Sequence, residues 1–252
     1  MDIEIKGAKI FFELPFFGGI PITETLVNMW LVMLAITIGC IWLTHGMKTH
    51  ATTKRQHIAE LIVTRMTHWV DGNMGAHYAT TGFPAFVGAL FAFSALSSLI
   101  SLLTLYPPTA DLSVTMGWSV MVFFMITFTK IKTNRLGGYL KSFTEPVPLL
   151  TPLNLISELS TPVSMGFRHF GNIASGQVVS ALVYGALLAL NHVLFSWLPG
   201  ALGKILSAIP LAQIGIPAVL SVYFDLFSAI MQAFIFCMLT MNYIAAAAES
   251  NE

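Results

Sequence analysis

Charged residues are scarce in this sequence. Asp, Glu, Lys and Arg make up 10% of its 252 residues, against about 25% in soluble globular proteins. Hydrophobic residues make up 56%, and several apolar runs approach or exceed the roughly 20 residues that cross a bilayer as a helix. The scarcity of charge excludes an ordinary soluble domain. It predicts an all-α, polytopic membrane protein with a single membrane domain over residues 1–252.

The sequence also has only two cysteines and a formal net charge of zero. Cys40 and Cys237 lie in separate apolar segments, so we expect two buried thiols and neither a disulfide framework nor a zinc site. Twelve basic and twelve acidic residues cancel, which gives no reason to expect a nucleic acid partner. The sequence also lacks a glycine-rich phosphate loop. We therefore expect no cofactor, no metal and no catalysis by the chain alone.

The apolar runs divide the chain into about five membrane-crossing helices and one surface helix. In chain order the predicted segments are an outer N-terminal stretch (1–24), a first span (25–46), an amphipathic helix (54–74), a helical hairpin (83–128) and a long helix pair (152–248). The amphipathic helix is predicted because apolar side chains recur at helical spacing among polar ones. Within the hairpin, the spans are predicted at residues 83–106 and 114–128.

Basic residues cluster in two places and indicate the orientation. The first cluster lies between residues 48 and 65, and the second consists of Lys130, Lys132, Arg135 and Lys141, which we predict to form a loop. Positive charge marks the cytoplasmic side of a membrane protein. We therefore expect the N-terminus and the turn at residues 107–111 outside, and the C-terminus in the cytoplasm.

The last two predicted helices are too long for a simple crossing. Residues 152–191 form a continuous helical pattern of about 60 Å at 1.5 Å per residue, and residues 211–248 are almost as long. The hydrocarbon core of a bilayer is only about 30 Å thick. We therefore expect the pair to form a steeply tilted or kinked hairpin.

Arg168 stands alone in the first of these long helices. No other Lys or Arg occurs from Ser142 to Gly203. A guanidinium stays protonated at physiological pH, and at the centre of a membrane helix it costs roughly 3 kcal/mol on insertion scales. A charge of this cost among apolar residues predicts a functional role, against a negative partner on an ion path.

Polar residues form patterns on both long helices. Every fourth residue of the first is small or polar around Arg168, in the series Ser160, Ser164, Arg168, Asn172, Gly176 and Ser180. On the second, Asp225, Ser228 and Gln232 share one face. Antiparallel packing predicts a polar seam between the two faces. The alternative is an Arg168–Asp225 ion pair that only holds the helices together.

The motifs around these residues resemble those of subunit a of the rotary F-type ATP synthase. The similar stretches are Pro152–Glu158, Pro162–Arg168, Phe170–Asn172, Gln232–Phe236 and Pro108–Asp111. The resemblance implies that Arg168 is the essential arginine that faces the carboxylate of each passing c-subunit. It implies that Gln232 lies opposite this arginine, and that Asn172 lies one turn further towards the outer half-channel. The Pro108–Asp111 match adds Asp111 to the expected ion-translocation residues.

The chain departs from the family's pattern at several positions. Gln177 stands where many bacterial members carry glutamate, and Asp225 where those members carry histidine or glutamate. Asp225 is therefore the expected proton group of the outer half-channel. Asn154 replaces a common glutamate, which leaves Glu158 as the expected acid of the inner half-channel, with Ser164 nearby. His169 replaces the usual leucine after the arginine.

The resemblance also implies the setting of the protein. The expected partners are the c-ring, the b subunits of the peripheral stalk and membrane lipid, in a bacterial plasma membrane. Proton and sodium both stay open as the coupling ion, because the ion-binding carboxylate lies on the c-ring.

Two alternative functions are a secondary transporter and an intramembrane enzyme. A secondary transporter would use Arg168 to bind an anionic substrate, but it predicts an internal repeat that the sequence does not show. An intramembrane enzyme would need a motif such as HExxH or Gly-x-Ser-x-Gly, and the sequence has neither. We expect the scattered histidines to be solvated or packed.

Overall fold

The computed structural model describes residues 7–15, 19–48, 53–144, 147–196, 215 and 219–249. Its elements are β1 (Ile10–Leu14), β2 (Ile20–Thr23), α1 (Glu24–Thr44), α2 (Lys54–Met74), α3 (Ala76–Ala79), α4 (Phe83–Leu99), α5 (Leu112–Ser142), α6 (Thr151–Ser196) and α7 (Ser228–Glu249). Five stretches in these ranges are long and apolar enough to cross a membrane: Glu24–Thr44, Phe83–Leu103, Leu112–Ser142, Pro148–Asn191 and Val219–Glu249. The prediction of an all-α polytopic membrane protein is confirmed.

A small β-hairpin precedes the first span. Strands β1 and β2 pair antiparallel, with Ile10 opposite Thr23 and Leu14 opposite Ile20. The backbone N–H of Glu24 donates to the carbonyl of Lys9 at 2.8 Å and joins the hairpin to the start of α1. The sequence predicts no regular structure for this stretch, because the two strands are short.

Helix α2 has the bounds that the amphipathic pattern predicts. The hydroxyl of Thr53 caps its N-terminus by accepting from the N–H of Gln56, and Gly75 ends it with a φ of 84°. The fully buried Val70 and the ring of Trp69, which stacks on Phe234 of α7 at 5.2 Å, attach the helix to the bundle. Its location on the membrane surface stays a prediction.

Two boundaries of the predicted hairpin differ from the structure. The second span was predicted to reach residue 106, but α4 ends at Leu99 and a 3-10 turn, Ile100–Leu103, follows it. Thr104 then takes a left-handed conformation with a φ of 61°, which an α-helix cannot continue. Helix α5, in contrast, runs well past residue 128, where its third span was predicted to end.

The predicted second basic loop is therefore wrong. Lys130, Lys132 and Lys141 all lie on α5, because the helix continues after the apolar run ends. Arg135 interrupts this extension with a φ of 55° and a ψ of 166°. Hydropathy marks where the apolar run ends, whereas the helix ends where its backbone hydrogen bonding does.

Helices α6 and α7 form the antiparallel pair that the sequence predicts. Helix α6 has 46 residues, about 69 Å at 1.5 Å per residue, so it exceeds a bilayer core more than twofold. Asn172 contacts Gln232, and Gly176, one turn later, lies against Phe224. Partner numbers fall as α6 advances, so the helices are antiparallel. The start of the second predicted long helix, at residues 211–214 and 216–218, lies outside the described residues.

The core lies where α4, α5, α6 and α7 meet. Its buried members include Val87, Val122, Met165, Phe236 and Met241. Cys237 is buried there as expected, but Cys40 is exposed on α1. The expectation for Cys40 was wrong because α1 lies at the edge of the bundle, with 11% of its span buried.

Candidate functional site

Arg168 lies on the open side of α6. Arg168 and Ser164, one turn before it, are exposed, whereas His169 beside Arg168 is fully buried. Within the described residues the guanidinium has no ion pair and no hydrogen bond. A bare guanidinium on an apolar span is costly in lipid. This side of α6 therefore needs a polar or negatively charged neighbour.

The predicted polar seam forms between α6 and α7. The Nδ2 of Asn172 donates to the Oε1 of Gln232 at 3.3 Å, and the hydroxyl of Ser228 donates to the Oδ1 of Asn172 at 3.0 Å. Gln232 is 3% exposed. Asn172 is thus held by two residues of α7, one turn of α6 beyond Arg168.

Asp225 lies at the other end of the seam. It belongs to a π-helical segment, Val222–Phe227, that precedes α7, and such segments are frequent at functional sites. Its Oδ2 accepts from the hydroxyl of Ser221 at 2.5 Å. The sequence analysis predicted Asp225 on the seam face but gave no signal for the π-helical geometry.

Two cavities meet at Asp225. One, of about 10 Å³, is lined by Ser98, Ser101, Ile173, Gly176, Gln177, Phe224 and Asp225. The other, of about 40 Å³, is lined by Ser180, Val183, Tyr184, Leu220, Ser221 and Asp225, and is large enough for a water molecule. The structure therefore brings Gln177 and Asp225 to one cavity, and adds Ser98 and Ser101, which the sequence analysis missed.

The ion pair considered as an alternative does not form. Arg168 and Asp225 are not ion-paired with each other in the described parts of the chain. Arg168 is exposed, while Asp225 accepts from Ser221 and borders the two cavities. The two charges therefore occupy different environments on the helix pair.

The row of small and polar residues on α6 is divided between two environments. Ser160, Ser164 and Arg168 are exposed, whereas Gly176 is buried against Phe224 of the π-helical segment that precedes α7. A four-residue step advances about 40° around a helix with 3.6 residues per turn. The row therefore winds from the open side of α6 into the seam.

Glu158 has a partner that the sequence analysis missed. The Nζ of Lys130 on α5 donates to both carboxylate oxygens of Glu158 on α6, at 2.8 and 2.6 Å. The two side chains are 29% and 16% exposed. Because 28 residues separate them, no local pattern indicates the pair.

Asp111 lies at the start of α5, where its carboxylate accepts from the N–H of Ser113 at 3.0 Å and caps the helix. Its negative charge also acts on Tyr106 in the preceding turn. Burial raises the pKa of Tyr106, and the charges of Asp111 and Glu24 raise it further. Asp111 thus has a structural role at this turn and lines neither cavity at Asp225.

Comparison with known proteins shows the family of the chain. The family described as ATP synthase A chain matches residues 26–245. ATP synthase subunit a of Albidiferax ferrireducens is 32% identical over 91% of this chain and 88% of the relative. ATP synthase subunit a, sodium ion specific, of Propionigenium modestum is 29% identical over 90% and 74%, respectively. ATP synthase subunit a 1 of Chlorobaculum parvum is 30% identical over 93% and 92%. The chain therefore belongs to the family of subunit a of F-type ATP synthase, the ion-translocating membrane-sector subunit of that complex, and is a multi-pass bacterial membrane protein.

Proposed function

We propose that this chain supplies the fixed positive charge and the two half-channels that couple ion translocation to rotation of a c-ring. The observation that carries the proposal is the exposure of Arg168 on an apolar span, without a partner among the described residues. A ring carboxylate that passes this side of α6 would meet the guanidinium. The opposite charge favours the ionised carboxylate, so the ion is released there and direct leakage past Arg168 is opposed.

The outer half-channel is proposed to follow the seam near Asp225. Asp225 borders both cavities, and Gln177 lines one of them. Asn172 and Gln232 connect this region to the turn of α6 beside Arg168. Asp225 is the carboxylate that borders both cavities, so it relays the ion while the amides orient water. Asp111, at the start of α5, is proposed to lie near the outer entrance.

The inner half-channel is proposed to begin near Glu158. This carboxylate lies on α6 almost three turns before Arg168, and Ser164 is exposed between them. Lys130 holds both oxygens of Glu158. We assign Lys130 the task of orienting this carboxylate, and Glu158 the task of accepting ions released by the ring.

The orientation and the partners complete the proposal. From the two basic clusters we infer that α2 and the end of α5 lie at the cytoplasmic side, with the N-terminus outside. A peripheral stalk of b subunits holds the chain against the rotating ring, and lipid covers α1. Single cysteines at Gly137 and Asp111, in a background without Cys40 and Cys237, should be labelled from opposite sides. Labelling from the same side would refute this orientation.

Arg168→Ala tests the central proposal. The variant complex should assemble and hydrolyse ATP but neither pump ions nor make ATP, because the charge that couples rotation to translocation is gone. Arg168→Lys should also fail, since an ammonium is more strongly hydrated and lacks the planar fork. Arg65→Ala, at an exposed arginine of α2, is the matched control and should pump normally. Coupled ATP synthesis in Arg168→Ala membranes would end the proposal.

A further inference from the structure

His169 has a fully enclosed environment in the bundle. Its side chain is 0% exposed, and each of the other three core helices contacts it. Its Nε2 lies 3.4 Å from the hydroxyl of Ser94 on α4. Its ring is T-shaped against Trp118 of α5 at 5.6 Å and against Phe236 of α7 at 5.5 Å. None of the functions proposed above uses this residue.

These contacts fix the rotation of α6 about its own axis. Successive residues of an α-helix point about 100° apart, so an inward His169 leaves Arg168 on a neighbouring, open face. Gly166, three residues before His169, lies on the inward side as well. A Cβ at this glycine would be 3.3 Å from the Cα of Met116 on α5. A close backbone approach and a ring fixed on three sides therefore restrain the same turn of α6.

We propose that His169 is a positioning residue for Arg168, which acts by fixing the rotation of α6 through its hydrogen bond with Ser94. This inference rests on the function proposed for Arg168. Ser94 is itself 0% exposed, so loss of the imidazole leaves a buried hydroxyl without its partner. A buried unpaired polar group is costly, whereas replacing both partners by apolar groups is nearly neutral. We expect α6 to rotate about its axis when only one of the two partners, His169 or Ser94, is removed.

Single and double variants of His169 and Ser94 test whether His169 positions Arg168 or relays the ion itself. His169→Leu should lower ATP-driven pumping per assembled complex by about tenfold, the factor that corresponds to about 1.4 kcal/mol. Passive ion leak should rise in the same variant, because the guanidinium no longer seals the path. Adding Ser94→Ala to His169→Leu should recover most of the pumping, since the unpaired hydroxyl is then removed. A direct ion relay through His169 gives no recovery in the double variant.

Two further variants serve as controls. Ser97→Ala removes another fully buried hydroxyl of α4, one that has no hydrogen-bond partner among the described residues, and it should leave pumping and leak unchanged. His169→Gln keeps an amide donor that can reach Ser94, and it should pump within about twofold of the unmodified complex. His169→Gln also provides the test if the leucine variant fails to assemble.

Pumping and leak are measured in membrane vesicles and divided by the amount of assembled complex. Normal pumping in His169→Leu would overturn the inference, and so would a failure of Ser94→Ala to restore it. Pumping as low in His169→Gln as in Arg168→Ala would overturn it too. Coupled synthesis in Arg168→Ala would instead refute the function proposed for Arg168, so the two failures are distinguishable.

Discussion

Among the glycines that the structure describes, Gly166 is the position where a single added methyl group should have the largest effect. An alanine Cβ there would overlap the Sδ of Met116, and it would lie 3.1 Å from the Oγ of Ser119 and 3.3 Å from the Cα of Met116. The thioether and the hydroxyl can rotate away. The Cα cannot, so α5 and α6 must separate by a few tenths of an ångström.

The magnitude follows from two opposing effects. Overpacking a well-filled contact typically costs about 1–3 kcal/mol, and an alanine inside a helix regains up to about 1 kcal/mol over glycine. When the full gain is subtracted, Gly166→Ala should destabilise the α5–α6 contact by up to about 2 kcal/mol. Removing the Met116 side chain in the same molecule, by Met116→Ala, should recover only part of this loss, because the Cα of residue 116 remains.

The assay is the thermal dissociation of the purified complex, compared across three glycines. A Cβ at Gly117 meets nothing within 4 Å, and one at Gly176 meets Phe224 at an ordinary 3.5 Å. The expected order of stability is therefore Gly117→Ala, then Gly176→Ala, then Gly166→Ala, and only the last should fall below the unmodified complex. If Gly166→Ala dissociates at the same temperature as Gly117→Ala, the close approach of α5 and α6 does not exist.

Two further predictions concern the proposed half-channels. Asp225→Asn should slow ion flux per assembled complex severely, and Gln177→Glu should restore part of it because both side chains line one cavity; full flux in Asp225→Asn would end the relay role. Lys130→Met should cost about 1 kcal/mol or less of stability, since its pair with Glu158 is only partly buried, and the exposed Lys132→Met is its control. Glu158→Gln should lower ion flux per assembled complex both in the unmodified chain and in the Lys130→Met variant. If Glu158→Gln leaves the ion flux unchanged in both, Glu158 does not lie on the ion path.

The spans and the central charge could be predicted because they depend on local composition. A bilayer excludes unpaired backbone and most charge from its core, so each span must appear as an apolar run in the sequence itself. The same constraint makes Arg168 conspicuous, as the one guanidinium between Ser142 and Gly203. The shared face of Ser228 and Gln232 followed from helical periodicity, and their contact with Asn172 confirmed the seam.

The predictions were wrong where the hydropathy of a segment does not determine its backbone structure or its burial. Lys130 and Lys132 were predicted in a loop because charge ended the apolar run, but polar residues can continue a helix that leaves the membrane. Cys40 was expected to be buried because its segment is apolar, yet a lipid-facing helix is equally apolar on its outer side. Composition indicates whether a segment lies in lipid or in water. It does not indicate which face of the segment contacts protein.

The sequence by itself determined the membrane class, the number of candidate spans, the excessive length of the last two helices and the isolation of Arg168. Only the tertiary structure decided which groups meet: Lys130 with Glu158 across 28 residues, and Ser94 with His169 across 75. It also decided that Arg168 faces outward and is not paired with Asp225. The physical reason is that insertion into a bilayer selects each segment on its own. Contacts between helices, in contrast, depend on their rotation and close packing, which no single segment encodes.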